Sequence, residues 1–403
     1  MRFFPNFPSL AWGFTMHATR IDGRTKAWRL QGLDTRNDEC APVGSPMVEE
    51  DFMRRAIEIA ENGRGKVQPN PLVGCVLVRD GEVIAEGWHD NIGGFHAEQA
   101  AIADAEERGI ATSGSTAYVT LEPCNHHGRT PPCTEALLWA GIDRVVIGAL
   151  DPNPTVRGGG MSVLMDQGVK VENGLLEREC KAQMREFIHW CEFRKPFVTL
   201  KAAIDIQGRV DVSPEEPSER FTSTSSLKRS HLLRSNNMGI LVGVETVIRD
   251  NPELSARDVG AKLQPIRIVI DPNGRIPKDC TLLSDGRSRT LIIHSRDVVA
   301  VDPPHVERYV IPSDGQDIEV NRILQLLGDL GIQSLVIEGG PTTWKSFIES
   351  DAVDAAILIQ SPKNLQSGEM GIFGEEYLRD TGLVISSHEM LEGDKVTYWS
   401  RSQ

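Results

Sequence analysis

The 403-residue chain has no run of eighteen apolar residues, so no membrane-spanning helix is expected. It is short of positive charge: 43 Lys and Arg stand against 57 Asp and Glu, a net charge of −14. Phosphate backbones are held by clustered Lys and Arg. A nucleic-acid-binding surface is therefore not expected, which weighs against a tRNA- or DNA-editing enzyme. A phosphorylated small molecule is still allowed, because it needs only a local cationic pocket. No even, regularly spaced set of cysteines occurs. The seven are Cys40, Cys75, Cys124, Cys133, Cys180, Cys191 and Cys280. That pattern fits a reducing compartment rather than a disulfide framework. There is no internal repeat, no low-complexity tract, and no apolar core with a small-residue cleavage site, so no secretory signal is expected.

What is present is a chain that is 40% hydrophobic and long enough for two or three domains. Residues 1–46 differ from the rest. They are rich in Phe, Trp and Arg and lack an apolar period. Two readings stand: a targeting peptide, which would send the protein to an organelle such as a plastid, or a disordered extension ahead of Met47. The second is favoured, with a cytoplasmic location.

The chemistry concentrates in residues 96–133. The stretch opens with His96-Ala97-Glu98 and closes with Pro123-Cys124 and Pro132-Cys133. One His and two Cys supply three zinc ligands and leave the fourth tetrahedral position for water, as a catalytic site requires. Bound zinc lowers the pKa of that water towards neutrality. Glu98 is not needed as a ligand and is placed to carry a proton. The competing reading is a structural zinc clamp with four protein ligands, His126 or His127 being the fourth. That reading leaves Glu98 without a purpose.

The pattern H-x-E followed by P-C resembles the zinc nucleobase deaminases. One departure narrows the match. Those enzymes have C-x2-C, whereas this chain has C-x8-C, with Glu122 before it and His127-Gly128-Arg129-Thr130-Pro131-Pro132 inside it. The longer form resembles the deaminase half of the bifunctional riboflavin-biosynthesis deaminase–reductases. The likeness extends to Pro69-Asn70-Pro71-Leu72-Val73-Gly74 and Asp151-Pro152-Asn153-Pro154. It implies that Asn70 orients a pyrimidine ring.

Hydrophobic periodicity supports an α/β layer here. Phe52, Ala56, Ile59 and Ala60 mark a helix that stops at Gly63. Strands are expected at 73–78 and 83–87 around an Asp80-Gly81 hairpin turn, then at 116–121 and 144–149. Helices are expected from His96 to about Arg108, from Cys133 to Ala140, and over 160–167. This is a three-layer α/β/α pattern with its site at strand ends. Residues 175–195 form a helical connector. Pro196 marks a boundary near 194, so the expected domains are 47–194 and 195–403.

The second half alternates again. Strands are expected at 197–204, 238–243, 266–270, 289–294, 334–338 and 354–360, and helices at 223–235, 319–330 and 342–350. Glu338-Gly339-Gly340-Pro341-Thr342 follows a buried strand and opens a helix. Glycines there let backbone approach a phosphate at a helix N-terminus, though a turn that merely needs glycine looks the same. Arg234 and Arg257 can make two-point contacts with phosphate oxygens; surface solvation is the plain alternative.

This half resembles the reductase of the same bifunctional family, which implies a dihydrofolate-reductase-like α/β fold and NADPH as cofactor. The resemblance covers about 47–403. It implies cofactor contacts at Ala203, Arg220, Thr246, Asp250, Gly340, Pro341 and Thr342. It implies substrate contacts at Lys201, Ser218, Arg234, Leu254, Arg257 and Glu338. Two departures stand out. The family's Ser-Leu-Asp-Gly is Asp205-Ile206-Gln207-Gly208 here, and its Ser-x-Trp-Ile-Thr is Ser218-Glu219-Arg220-Phe221-Thr222. The Trp normally lies against the cofactor, so its stacking surface is lost. The resemblance implies deamination of 2,5-diamino-6-(5-phosphoribosylamino)pyrimidin-4-one, then NADPH reduction of the ribosyl group to ribityl, by a homo-oligomer. The alternatives are a deaminase whose second half only binds or dimerises, a nucleic-acid-editing deaminase, and a non-enzymatic zinc-stabilised scaffold.

Overall fold

The computed structural model describes residues 15–18, 28–31, 47–126, 131–153, 159–211, 218, 220–313, 317–365 and 373–401. The expectations for His127 to Thr130, Pro154, Glu219 and most of 1–46 lie outside these. Of the extension, only two short strands are described, β1 (Thr15–Ala18) and β2 (Trp28–Gln31), paired antiparallel. The rest of the chain groups into two compact units: residues up to 64 together with 72–184, and 65–71 together with 185–403. This division falls earlier than the expected 194, because the second helix of the connector groups with the C-terminal unit. No helix among the described residues is long and apolar enough to cross a membrane.

The first unit begins with α1 (Glu49–Ala60), whose buried residues Phe52, Met53, Ala56, Ile59 and Ala60 form one face. Glu49, Glu50 and Asp51 complement the positive end of its dipole. Strands β3 (Gly74–Arg79) and β4 (Glu82–Trp88) form a hairpin. Asp80 and Gly81 both take positive φ, 53° and 77°, as a two-residue primed turn demands. Helix α2 (Ala97–Glu107) follows, then β5 (Thr116–Leu121), α3 (Cys133–Trp139), β6 (Arg144–Ala149), α4 (Gly159–Asp166), β7 (Lys170–Asn173) and α5 (Glu177–Gln183). The sheet order is β4-β3-β5-β6-β7, antiparallel across β3 and parallel from β5 onward. Helices α1 and α5 lie together, as do α2, α3 and α4, with the sheet between the two groups.

The approach of α2 to the sheet sets the height of the site. A Cβ on Gly87 would lie 2.1 Å from the Ala101 nitrogen and 2.5 Å from the Ala97 oxygen. Only glycine on β4, facing the stripe Ala97, Ala101 and Ala105, lets the helix backbone sit this close.

The second unit holds α6 (Arg185–Phe193), β8 (Phe197–Ile204), α7 (Thr224–Ser235), β9 (Gly239–Gly243), α8 (Val244–Asp250), β10 (Ile266–Ile270), α9 (Thr281–Ser284), β11 (Thr290–His294) and β12 (Val306–Val310). It continues with α10 (Val320–Asp329), β13 (Ser334–Ile337), α11 (Pro341–Glu349), β14 (Ala355–Gln360), α12 (Glu375–Asp380), β15 (Leu383–Leu391) and β16 (Asp394–Arg401). Its sheet runs β12-β11-β10-β9-β13-β8-β14-β16-β15. Every pairing from β12 to β14 is parallel, and the hairpin β15–β16 closes one edge antiparallel. The parallel strands read as near-continuous apolar runs because both faces are covered. After stepping outward from β9 to β12, the chain returns to place β13 between β9 and β8. That reversal makes a crevice at the carboxyl ends of β9 and β13, where open α/β sheets bind ligands.

Candidate active sites

In the first unit, three sequence-predicted ligands converge. His96 is the residue before α2, Cys124 lies beyond the end of β5, and Cys133 opens α3. Sγ of Cys124 is 3.5 Å from Nδ1 of His96 and 3.4 Å from Sγ of Cys133, and Sγ of Cys133 is 3.3 Å from Nδ1 of His96. Ligand atoms bound tetrahedrally to zinc at ~2.0–2.3 Å would stand about 3.5–3.8 Å apart. The triangle therefore fits one zinc ion with little movement. Among the described residues this is the one group of His, Cys, Asp or Glu able to hold a metal. His126 is exposed and does not join it. The four-ligand clamp thus lacks His126, and His127 lies outside the described residues.

Glu98 sits one residue into α2 and is 3% exposed. Burial pushes its carboxyl up to about 7, and the charge of Cys124 adds to this. A cation among the three ligand atoms would draw the value back down. Cys124 is the thiol more easily ionised, because the Cys133 thiol and the His96 ring bond to it, and the backbone N–H of Cys133 donates to its sulfur at 3.4 Å.

Several supporting residues were given no role in the sequence reading. Gln99 accepts the backbone N–H of His96 at 3.2 Å and donates to the Pro131 carbonyl at 2.9 Å, tying the two ligand segments together. His89 donates from Nδ1 to the Phe95 carbonyl at 2.8 Å, and its ring stands edge-on to His96 with centroids 5.4 Å apart. Buried Glu122 accepts the backbone N–H groups of Asp151 and Met161, each at 3.2 Å. It thereby holds the loop after β6 beside Cys124, and burial raises the half-buried Asp151 carboxyl there. The only signal for Asp151 was its place in a matching tetrapeptide. Asn70 lies half-buried in the turn before β3, in the segment that groups with the C-terminal unit.

In the second unit, Lys201 on β8, Arg234 on α7 and Glu338 after β13 form one cluster. Arg234 grips Glu338 with two bonds of 2.9 and 2.8 Å and donates to the Ser255 carbonyl at 3.1 Å. Lys201 Nζ stands 3.9 Å from Oε2 of Glu338. The two-point grip expected for a phosphate is thus directed at a carboxylate. Burial would raise the Glu338 carboxyl, but the charges of Arg234 and Lys201 outweigh it and hold it at about 2. Arg257 stays half-exposed and bonds Glu253 and Ser255. Leu254 is buried and takes a positive φ, 51°.

Five of the expected cofactor residues lie on the helices that follow β9 and β13. Gly340 caps α11, Pro341 and Thr342 form its first turn, and Thr246 and Asp250 lie on α8. A Cβ on Gly339 would come within 2.8 Å of Thr343, while one on Gly340 would meet nothing within 4 Å. Open space at a helix N-terminus suits a cofactor phosphate. Asp250 accepts the backbone N–H of Ser218 at 2.8 Å, which joins an expected cofactor residue to an expected substrate residue. Ala203 is half-buried at the end of β8, and Arg220 is exposed.

Two family models match the chain: the cytidine and deoxycytidylate deaminase zinc-binding region over residues 46–149, and the RibD C-terminal domain over 196–394. Riboflavin biosynthesis protein RibD of Actinobacillus pleuropneumoniae is 42% identical, over 80% of this chain and 87% of its own length. The chain belongs to the RibD family. The RibD of Escherichia coli is 35% identical over 81% of this chain and 91% of its own. A solved diaminohydroxyphosphoribosylaminopyrimidine deaminase/5-amino-6-(5-phosphoribosylamino)uracil reductase from Thermotoga maritima superposes with TM-score 0.78 at 35% identity, covering 88% of this chain and 98% of that one. RibD of Acinetobacter baumannii gives 0.77 at 30% identity, covering 88% and 99%. As a RibD-family chain it is a bifunctional enzyme of riboflavin biosynthesis. Its deaminase half is a zinc-binding domain, and its RibD C-terminal half implies a nicotinamide cofactor.

Proposed function

We propose that residues 47–194 deaminate 2,5-diamino-6-(5-phosphoribosylamino)pyrimidin-4-one and that residues 195–403 then reduce the ribosyl group to ribityl with NADPH. His96, Cys124 and Cys133 hold zinc. When bound, the ion supplies a water acidified to near-neutral pKa. Glu98 takes a proton from the attacking water and returns it to the departing ammonia, as the ring carbon gains oxygen and loses its exocyclic nitrogen. Its burial beside the ligand triangle places the carboxyl where it can do both. Asn70 orients the ring.

In the second half, NADPH when bound supplies the hydride for the ribose C1. Ala203, Arg220, Thr246, Asp250, Gly340, Pro341 and Thr342 position the cofactor. Lys201, Ser218, Arg234, Leu254, Arg257 and Glu338 hold the substrate, with Arg257 meeting its phosphate. The enzyme works in the cytoplasm as a homo-oligomer on a small molecule, without nucleic acid or membrane.

The observation that carries the reading is the triangle of His96, Cys124 and Cys133 with the buried Glu98 two residues along the chain from His96. A coupled assay tests it, with the diaminopyrimidine phosphate as substrate and with ammonia and NADPH followed separately. Both signals are expected. Ammonia release without NADPH oxidation would leave the second half a binding module, and neither signal would remove the reading.

A further inference from the structure

Loop 251–258 and the turn after α9 bring two arginines onto one carboxylate. Oε2 of Glu253 accepts from Nη1 of Arg257 at 3.1 Å, from Nη1 of Arg287 at 2.8 Å, and from the Ser255 hydroxyl at 3.1 Å. The same Arg257 nitrogen lies 3.0 Å from the Ser255 hydroxyl. The two guanidiniums arrive from separate, well-anchored segments. Arg287 is set by Asp285, which accepts its backbone N–H at 3.1 Å. Asp285 is in turn gripped by two 2.8 Å bonds from Arg267, a side chain 1% exposed. Loop 251–258 is pinned to α9 by the Asn251 side chain, which accepts the Thr281 N–H at 2.8 Å, and is closed by Gln264, which makes both backbone bonds to Ala256.

Two cationic forks and one hydroxyl meeting a single oxygen is the donor set a phosphate monoester takes. A carboxylate fills two or three of those bonds where a phosphate, with three terminal oxygens and up to two charges, fills more. The partners are half-exposed or exposed, with side chains 40%, 58% and 36% accessible for Arg257, Arg287 and Glu253. The bridge is therefore weakly held and easily exchanged.

We infer that Glu253 is an internal anion occupying the phosphate site of the reductase half, and that the substrate's phosphomonoester displaces it and gains Arg287 as a second cation beside Arg257. The inference rests on the reading that Arg257 meets the substrate phosphate. It adds Arg287 as a specificity-determining residue and makes Glu253 a built-in competitor that sets how tightly phosphate must bind to enter.

The test uses the full chain with inorganic phosphate as probe. Phosphate's inhibition constant against NADPH oxidation is measured for the wild type, Glu253→Gln, Arg287→Gln and Arg257→Ala, with the thermal unfolding midpoint of each. Glu253→Gln keeps the side-chain shape and removes the charge. It is expected to lower the inhibition constant, by up to about five-fold, the upper end of what an exposed bridge allows. Arg287→Gln is expected to raise it. Opposite shifts at unchanged midpoints are something a structural role would not give. A rise or no change in Glu253→Gln overturns the competitor role, since a tether that orients Arg257 would weaken phosphate when cut. No change in Arg287→Gln overturns the second cation. Arg257→Ala separates the two levels. If it leaves phosphate inhibition untouched, the underlying site reading fails. If it weakens phosphate while Glu253→Gln does not strengthen it, only this inference fails.

Discussion

Arg234 and Glu338 are joined by two parallel hydrogen bonds of 2.9 and 2.8 Å, with side chains 15% and 7% exposed. One comes from α7 and the other from the loop that leaves β13, so the pair crosslinks the crevice of the second unit. Removing one partner of such a buried pair leaves the other charge uncompensated. Glu338→Ala is expected to destabilise the second unit by about 3 kcal/mol and to raise the KM of the NADPH-dependent step. Urea unfolding and steady-state kinetics on the same preparation check both.

The same pair gives an acid limb. Arg234 and Lys201 hold the Glu338 carboxyl at about 2, against an ordinary value of 4.5. The folded carboxylate therefore releases its proton more readily than the unfolded one. Its contribution is fully present above pH 4.5 and is lost as pH falls through about 2. Unfolding free energy measured from pH 6 to pH 2 is expected to fall more steeply for the wild type than for Glu338→Gln. Parallel curves would show that the pair adds nothing.

Much of this was legible in the sequence, for reasons that differ by element. The His96, Cys124 and Cys133 triangle was visible because metal chemistry restricts residue type, and the buried strands of both sheets were visible as apolar runs. Of the edge elements, β4 was marked by its Asp80-Gly81 turn, but those of the second sheet were not. Strand β12 reads Val-Glu-Arg-Tyr-Val, with the charges that keep an edge from pairing further. The hairpin β15–β16 turns at Glu392-Gly393, both at positive φ, and Glu-Gly is not among the usual turn dipeptides. Polar partners were also hidden. Nothing in spacing alone says that Glu122 would hold the Asp151 loop, or that the Arg234 fork would close on Glu338, 104 residues away.

Glu98 is the residue whose loss should separate binding from chemistry. Glu98→Gln keeps size and burial but cannot carry the proton. It is expected to retain zinc at the wild-type stoichiometry and to lose ammonia release by roughly 10²–10⁴-fold, the usual worth of a positioned acid–base group. Metal analysis together with an ammonia assay checks this. Retained turnover would remove Glu98 from the reaction.

Chelation asks a different question of the same centre. Deprotonated thiolates and a neutral imidazole bind zinc most strongly, so removal is expected to be faster at lower pH. The first unit keeps an extensive apolar core around Leu77, Val119, Leu137 and Ile147. Its circular dichroism is therefore expected to survive chelation while ammonia release stops, and added zinc to restore it. Unfolding on chelation would instead mark a structural metal, as in the scaffold reading.

Gly87 ties the fold to the site most directly. The residue that α2 presses against cannot carry a side chain, because a Cβ there would lie 2.1 Å from the Ala101 nitrogen and 2.5 Å from the Ala97 oxygen. Both are backbone atoms of the helix that His96 precedes, so no side-chain rotation relieves the clash. Gly87→Ala must lift α2 off β4, at about 1–3 kcal/mol for an overpacked interface. The displacement carries His96 and Glu98 away from Cys124 and Cys133, which are borne on other elements. The variant is therefore expected to lose zinc affinity as well as stability. A fall in the thermal midpoint with zinc still bound at wild-type affinity would show that α2 can shift without taking its ligand along.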